Sequence, residues 1–380
     1  MVGVKQLVDD NLLAECANAI PKQSKLPQFL EEIAGVSVPL YCFGSQPLMD
    51  HESFGEHLGI SKDEASMLDT LLLAQWEDRT MKGIFRYDVT TNEIKAIEGR
   101  KKFLAQLNEA WNMDHLPKLE NNKAFQQEGV FELNSMKQHD KLLLCVASSE
   151  KSTPELIASA AVPNDAMLIF INASPVEYGH VLLVPYQTNS FYQFLDASCL
   201  EMAVRIAVGI KNCCFRLFYN YSTDASHLYF QACYFSNPLA VELMPVDTFY
   251  GNAQSGMRIS VVTDYPIKTL LFESNQKFEK MMEVLAKICS CLVEMRISYN
   301  LLISDRGKKI FLFLQLQELE HTCSLSAWEC GGYFLFKSRT EFDLATEKTM
   351  LKQLTVVSIH DEDFKAVKLL CCNTARMLGF

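Results

Sequence analysis

The chain has 380 residues, 49% hydrophobic and 21% charged, which is the balance of a packed globular protein and excludes a disordered one. A formal net charge of −11 argues against a sequence-independent nucleic-acid surface, which needs clustered Lys and Arg to neutralise phosphates. No run is long and apolar enough to span a membrane, and Asp9 and Asp10 stand where a signal peptide would be apolar, so a cytoplasmic chain is expected.

Residues 1–60 lack sustained periodicity and read as an extension laid over the body. Ser61-Lys62-Asp63-Glu64 reads as a capping box. Met67, Leu68, Leu71, Leu72 and Trp76 follow at helical spacing, and Gly83 supplies the stop. Phe85 to Ile97 alternates around Thr90-Thr91-Asn92 and reads as a hairpin. The basic cluster Arg100-Lys101-Lys102 reads as a solvated turn. A strand is expected at Lys141–Ala147, then a loop rich in Ser, Glu and Pro. Met167–Asn172 is a strand, Ser174-Pro175-Val176-Glu177 a turn, and Gly179–Pro185 a second strand. Asp196 caps a helix to about Lys211, with Glu201 and Arg205 at the i,i+4 spacing of an ion pair. His227–Phe235 is another strand.

A second unit is expected to begin near Gly251, dividing the chain into residues 1–60, 61–250 and 251–380. It holds an amphipathic helix over Phe278–Leu292, a hairpin Leu301–Leu314 turning at Asp305-Arg306-Gly307-Lys308, a strand Gly332–Lys337 and a closing helix from about Asp361. Strands come in hairpins without βαβ alternation, so the fold class is α+β with an antiparallel sheet. Thirteen cysteines include no Cys-x-x-Cys, so no zinc knuckle is signalled, and neither a metal nor a cofactor is expected. Cys213-Cys214, Cys289 with Cys291, and Cys371-Cys372 read as reduced thiols buried in apolar, helical surroundings.

Two neighbouring strands carry the polar residues of interest. Alternation sends His227, Tyr229 and Gln231 to one face and Leu228 and Phe230 into the core. That row is either a site floor or the ordinary solvated face of a half-buried sheet. His180, opening the apolar strand Val181–Val184, is by itself a structural or a catalytic histidine.

Ile171-Asn172-Ala173-Ser174-Pro175-Val176-Glu177-Tyr178-Gly179-His180 through Pro185 resembles the strand–turn–strand signature of the GDP-hexose phosphorylases of the histidine-triad superfamily, nearest to the plant GDP-L-galactose phosphorylases. His227-Leu228-Tyr229-Phe230-Gln231 resembles their His-x-His-x-Gln strand. Gln75–Arg79, Gly83–Thr90, Ala105–Glu109 and Asn300–Asp305 agree in order, so the resemblance runs from about residue 60 to the end. It implies a two-lobed antiparallel α+β fold of the type of galactose-1-phosphate uridylyltransferase, with the lobes meeting at the strand His227–Phe235.

In that family the second histidine of the strand attacks the α-phosphorus of a GDP-hexose. Hexose 1-phosphate leaves, and phosphate then takes the guanylyl group. The resemblance makes His180, His227 and Gln231 supporting residues, and it places Tyr229 where the nucleophile stands. It also makes Asn220 and Asp224 substrate-binding positions, Asn220 just before and Asp224 within a loop that meets the diphosphate and that here is short, lacks glycine and bears an acid. The basic residue that the family carries after its Pro-x-Glu segment is missing, because Glu242 is followed by Leu243 and Met244. A phenol ionises near pH 10, so the family reaction is expected to be lost. What remains is a binding or regulatory protein, partnered by a small ligand or an active relative. The alternative is a repurposed enzyme running acid–base chemistry on His180, His227 and Tyr229.

Overall fold

A computed structural model of the chain describes residues 36–45, 66–112, 141–186, 195–222, 228–252, 256–274, 278–317 and 324–379. The expected extension over residues 1–60 lies outside them except for 36–45, which form strand β1 (Ser37–Phe43). Helix α1 (Met67–Met81) is capped by Ser66, whose hydroxyl accepts from Asp69 N, so the expected Ser61 box does not start this helix. Gly83 ends it at φ +69°.

The expected hairpin over Phe85–Ile97 does not form. Asp88 takes the Thr90 N–H on its own carboxylate and starts a short 3₁₀ turn over Val89–Thr91. Strand β2 (Glu93–Ala96) then pairs with β3 (Leu104–Leu107). Lys101 in the turn between them is not solvated. It is 7% exposed, and its ammonium meets the Asp264 carboxylate at 2.7 Å.

The remaining strands and helices follow in order. They are β4 (Leu142–Ser148), β5 (Glu155–Ala161), β6 (Ala166–Ile171), β7 (Val181–Tyr186), α2 (Ala197–Ile210), β8 (Phe215–Asn220) and β9 (Phe230–Tyr234). After them come β10 (Val246–Gly251), β11 (Met257–Val262), β12 (Thr269–Ser274), α3 (Phe278–Glu294), β13 (Ile297–Ser304) and β14 (Lys309–Leu316). The chain closes with α4 (Ala327–Gly331), β15 (Tyr333–Phe336), α5 (Arg339–Asp343), α6 (Glu347–Val357) and α7 (Asp361–Met377). Asp196 caps α2 through Cys199 N, and Arg205 meets Glu201 at 2.8 Å, as the spacing requires.

Among the described residues, twelve strands form one sheet in the order β10-β11-β12-β14-β13-β8-β9-β7-β6-β4-β1-β5. Within it only β1 against β4 runs parallel. Pro39 has no N–H to give the ladder, and the β1–β5 register shifts at that residue, between Val38 and Leu40. A second sheet, β15-β3-β2, is small. The fold is therefore α+β and antiparallel-dominated. The seam expected at His227–Phe235, which contains β9, lies one strand away, since the C-terminal strands join through β13 on β8.

Helices α1, α2, α3 and α7 bury one face of the large sheet through residues such as Leu72, Leu200, Leu285 and Val367. On the other face the small sheet and α4 to α6 cover β8, β13 and β14, with Phe103, Phe218, Trp328 and Phe342 between them. Towards β1, β4, β6 and β7 that face carries a separate apolar cluster of Leu40, Leu168, Leu182 and Val184. The two covers leave the centre of the face, at β7 and β9, as their border.

Gly332, after α4, has φ +98°, and a Cβ there would stand 2.6 Å from the Ala240 Cβ and 2.9 Å from Phe103. Gly332→Ala should therefore destabilise the chain by about 2 kcal/mol or more, from left-handed strain plus overpacking. Chemical denaturation of the variant beside native protein checks this.

Candidate active site

The site begins with the turn between β6 and β7. The Asn172 side chain accepts from Ser174 N at 2.9 Å and folds the chain back on itself. Gly179 lies at φ +67°, and a Cβ on it would stand 2.5 Å from the Tyr234 ring. Three outside groups grip the turn. Gln106 of β3 donates to Val176 O at 2.8 Å, Tyr87 donates to Pro175 O at 2.9 Å, and Tyr333 of β15 donates to the Glu177 carboxylate.

That grip sets His180. Val176 N donates to His180 Nδ1 at 2.9 Å, and a backbone N–H can only donate, so Nδ1 carries no proton. The proton is on Nε2, which donates to Gln231 Oε1 at 3.0 Å. His180 is wholly buried, and burial lowers its pKa to about 4. It is a neutral, single-tautomer brace. Of the two readings open to this residue in the sequence, the structure favours the structural one: it lies in the core, edge-on to Trp328 at 6.3 Å.

This burial gives a pH prediction. The folded pKa near 4 lies below the unfolded value of about 6.5, so the unfolded chain binds the extra proton first. The contribution is complete above pH 6.5 and is lost as pH falls towards 4, by about 3 kcal/mol at most. His180→Gln should flatten this part of the stability–pH curve measured by urea unfolding.

Gln231 is buried, level with Leu182 of β7 and Phe218 of β8. Carrying the same register on by two residues sets Tyr229 level with Val184 and Asn220. Tyr229 is half-buried on the Gln231 face and packs against the Leu182 and Val184 cluster. Burial pushes its phenol up to about 12. Asn220 points its amide oxygen at Ala327 N, 2.7 Å away, and so anchors α4. Asn300, opposite it on β13, donates to Leu325 O at 2.6 Å. His227 and Asp224 lie outside the described residues.

The structure thus brings His180 and Gln231 together, sets Tyr229 on their face and gives Asn220 to α4. It adds Gln106, Glu177, Tyr333, Asn300 and Trp328, which the sequence reading does not single out. For Trp328 a signal is present, because Ser326 and Glu329 form a capping box around it. Glu242, beside the missing basic position, is the partner of buried Arg216 at 2.8 Å.

Residues 67–233 match the family model described as GDPGP1-like, N-terminal domain, and residues 240–378 match its C-terminal counterpart. GDP-L-galactose phosphorylase 1 of Arabidopsis thaliana is 32% identical over 88% of this chain and 80% of its own length. The chain belongs to the GDP-hexose phosphorylase family. Another relative in this GDP-hexose phosphorylase group, GDP-D-glucose phosphorylase 1 of Danio rerio, is 22% identical over 75% of the chain and 84% of its own length. Among solved structures, yeast Ap4A phosphorylase Apa2 in complex with AMP superimposes with a TM-score of 0.53 at 14% identity. It covers 77% of this chain and 96% of that one, a likeness of fold alone, and the fold is the histidine-triad type. Among the described residues no helix is long and apolar enough to cross a membrane.

Proposed function

We propose that this chain binds a GDP-sugar or its guanine nucleotide in the family cleft and has lost the guanylyl-transfer step, acting as a binding or regulatory member of the family. The observation that carries this is Tyr229. It stands where the resemblance places the nucleophile, and a phenol near pKa 12 is ionised to about one part in 10⁵ at pH 7. Gln231, which the resemblance makes a supporting residue, is present and held in place. Gln231 is locked by His180, so its amide nitrogen is turned away from that ring and is available to an anionic oxygen. The alternative, acid–base chemistry on a different small molecule, leans on His180, which is buried and has both ring nitrogens engaged.

Titration calorimetry of the purified chain with GDP, GMP and GDP-L-galactose, with and without phosphate, tests the proposal. Saturable binding with no continuing heat of reaction is the expected result. Sustained turnover heat, or no binding of any guanine ligand, would overturn it.

A further inference from the structure

Eleven cysteines are described. Eight are buried, Cys214 and Cys372 are half-buried, and Cys213 alone among them is exposed. The expectation of burial therefore fails at Cys213 and is met only in part at Cys214 and Cys372. The pair Cys213-Cys214 sits past the end of α2, where Lys211 turns the chain at φ +59°. Phe215 N donates to Asn212 O at 3.2 Å, so the two cysteines occupy the central positions of a hydrogen-bonded turn. The Asn212 side chain accepts from Cys214 N at 2.9 Å and holds the turn in shape. Within it Cys213 is exposed and Cys214 half-buried on adjacent residues.

We propose that Cys213 and Cys214 form a reversible oxidation site for a peroxide. Cys213 Sγ, the accessible thiol, attacks the peroxide O–O bond and becomes a sulfenic acid, and one water (or alcohol) leaves. Cys214 Sγ then attacks that sulfur, the S–O bond breaks, a second water leaves and an S–S bond closes. The two sulfurs together lose two electrons and two protons, and the peroxide is reduced. The ladder normally continues to sulfinic acid when no thiol is near, and here the resolving thiol stands on the next residue of the same turn.

Geometry also makes the product labile. Adjacent Cα atoms are about 3.8 Å apart, below the roughly 4.4–6.8 Å that a relaxed disulfide spans. A strained, exposed disulfide is easily reduced by small thiols. The turn is joined to the site strand, because Cys214 O accepts from Phe235 N and from Arg216 Nη1, each at 2.9 Å. Ring closure would therefore act on the foot of β9, which carries Gln231.

The test uses native protein and hydrogen peroxide at about one equivalent, followed by alkylation and mass spectrometry. Trypsin cuts after Lys211 and Arg216, so the pair lies alone on peptide Asn212–Arg216. That peptide should become lighter by two hydrogens, escape alkylation, and revert with dithiothreitol. In Cys214→Ser, a dimedone-type nucleophile should trap a sulfenic acid on Cys213. In Cys213→Ser, the peptide should stay unmodified at the same dose. Earlier oxidation of any other cysteine, sulfinic acid as the main native product, or disulfide-linked dimers through this peptide would each overturn the proposal. The native measurement decides the matter even if a variant folds poorly.

Discussion

Incubated with GDP-L-galactose and inorganic phosphate, the native chain should release no detectable GDP, and Tyr229→His alone should not bring it to full activity. Covalent guanylyl transfer needs a group that attacks phosphorus near pH 7 and then departs. A phenol held near pKa 12 in an apolar setting does neither at a useful rate. Removing the nucleophile from an enzyme that acts through one can cost roughly 10⁶-fold. The loop Tyr221-Ser222-Thr223-Asp224-Ala225-Ser226 is a separate defect by its composition. It offers no glycine to bring backbone N–H groups against phosphate, and a carboxylate near a diphosphate adds repulsion of about 1–4 kcal/mol, depending on solvation. GDP release should be measured for the native chain, for Tyr229→His, and for Tyr229→His carrying a glycine-containing loop. Robust native turnover would refute this account of the site. Full recovery in the single variant would acquit the loop, and recovery only in the graft would show that the two defects act together.

The second large effect concerns stability. Arg216 gives Nε and Nη2 to Glu242 at 2.8–3.1 Å and Nη1 to two backbone carbonyls, with side chains only 6% and 11% exposed. Removing one partner leaves the other charge buried and alone, which typically costs about 3–5 kcal/mol. Glu242→Ala should therefore sharply lower the unfolding midpoint. Arg216→Met with Glu242→Leu should recover much of it, because a dry apolar pair carries no desolvation penalty. A double variant as weak as the single would show that the carbonyl contacts of Arg216 and the Leu239 N–H that Glu242 accepts at 2.6 Å, and not the ion pair, dominate.

Legibility in the sequence follows the strength of local patterning. The run around the 172–180 turn, the Asp196 cap, the α3 stripe and the β13–β14 hairpin can be read because period and punctuation agree. Strand β8 escapes, since Phe215–Asn220 is largely buried on both faces and Arg216 and Asn220 break any clean apolar–polar alternation. So does β5, an exposed edge strand ending in a run of Ala and Ser, where burial imposes no pattern. At the site, alternation correctly puts Tyr229 and Gln231 on one face. It does not show that His180 is buried, because that depends on Val176, which Gln106 holds from another sheet. Long-range hydrogen bonds leave no local trace.

The large sheet passes from one half of the sequence to the other without a gap, through β13 laid on β8. Each of these strands hides the open backbone rim of the other. Cut the chain between them and both pieces would present a bare, apolar ladder, the shape most prone to sticking to itself. The two halves are thus bound as mutual chaperones, each keeping the other's apolar ladder from self-association. A changed side chain on such a sheet leaves its outline intact, whereas loss of a strand at this junction would open it.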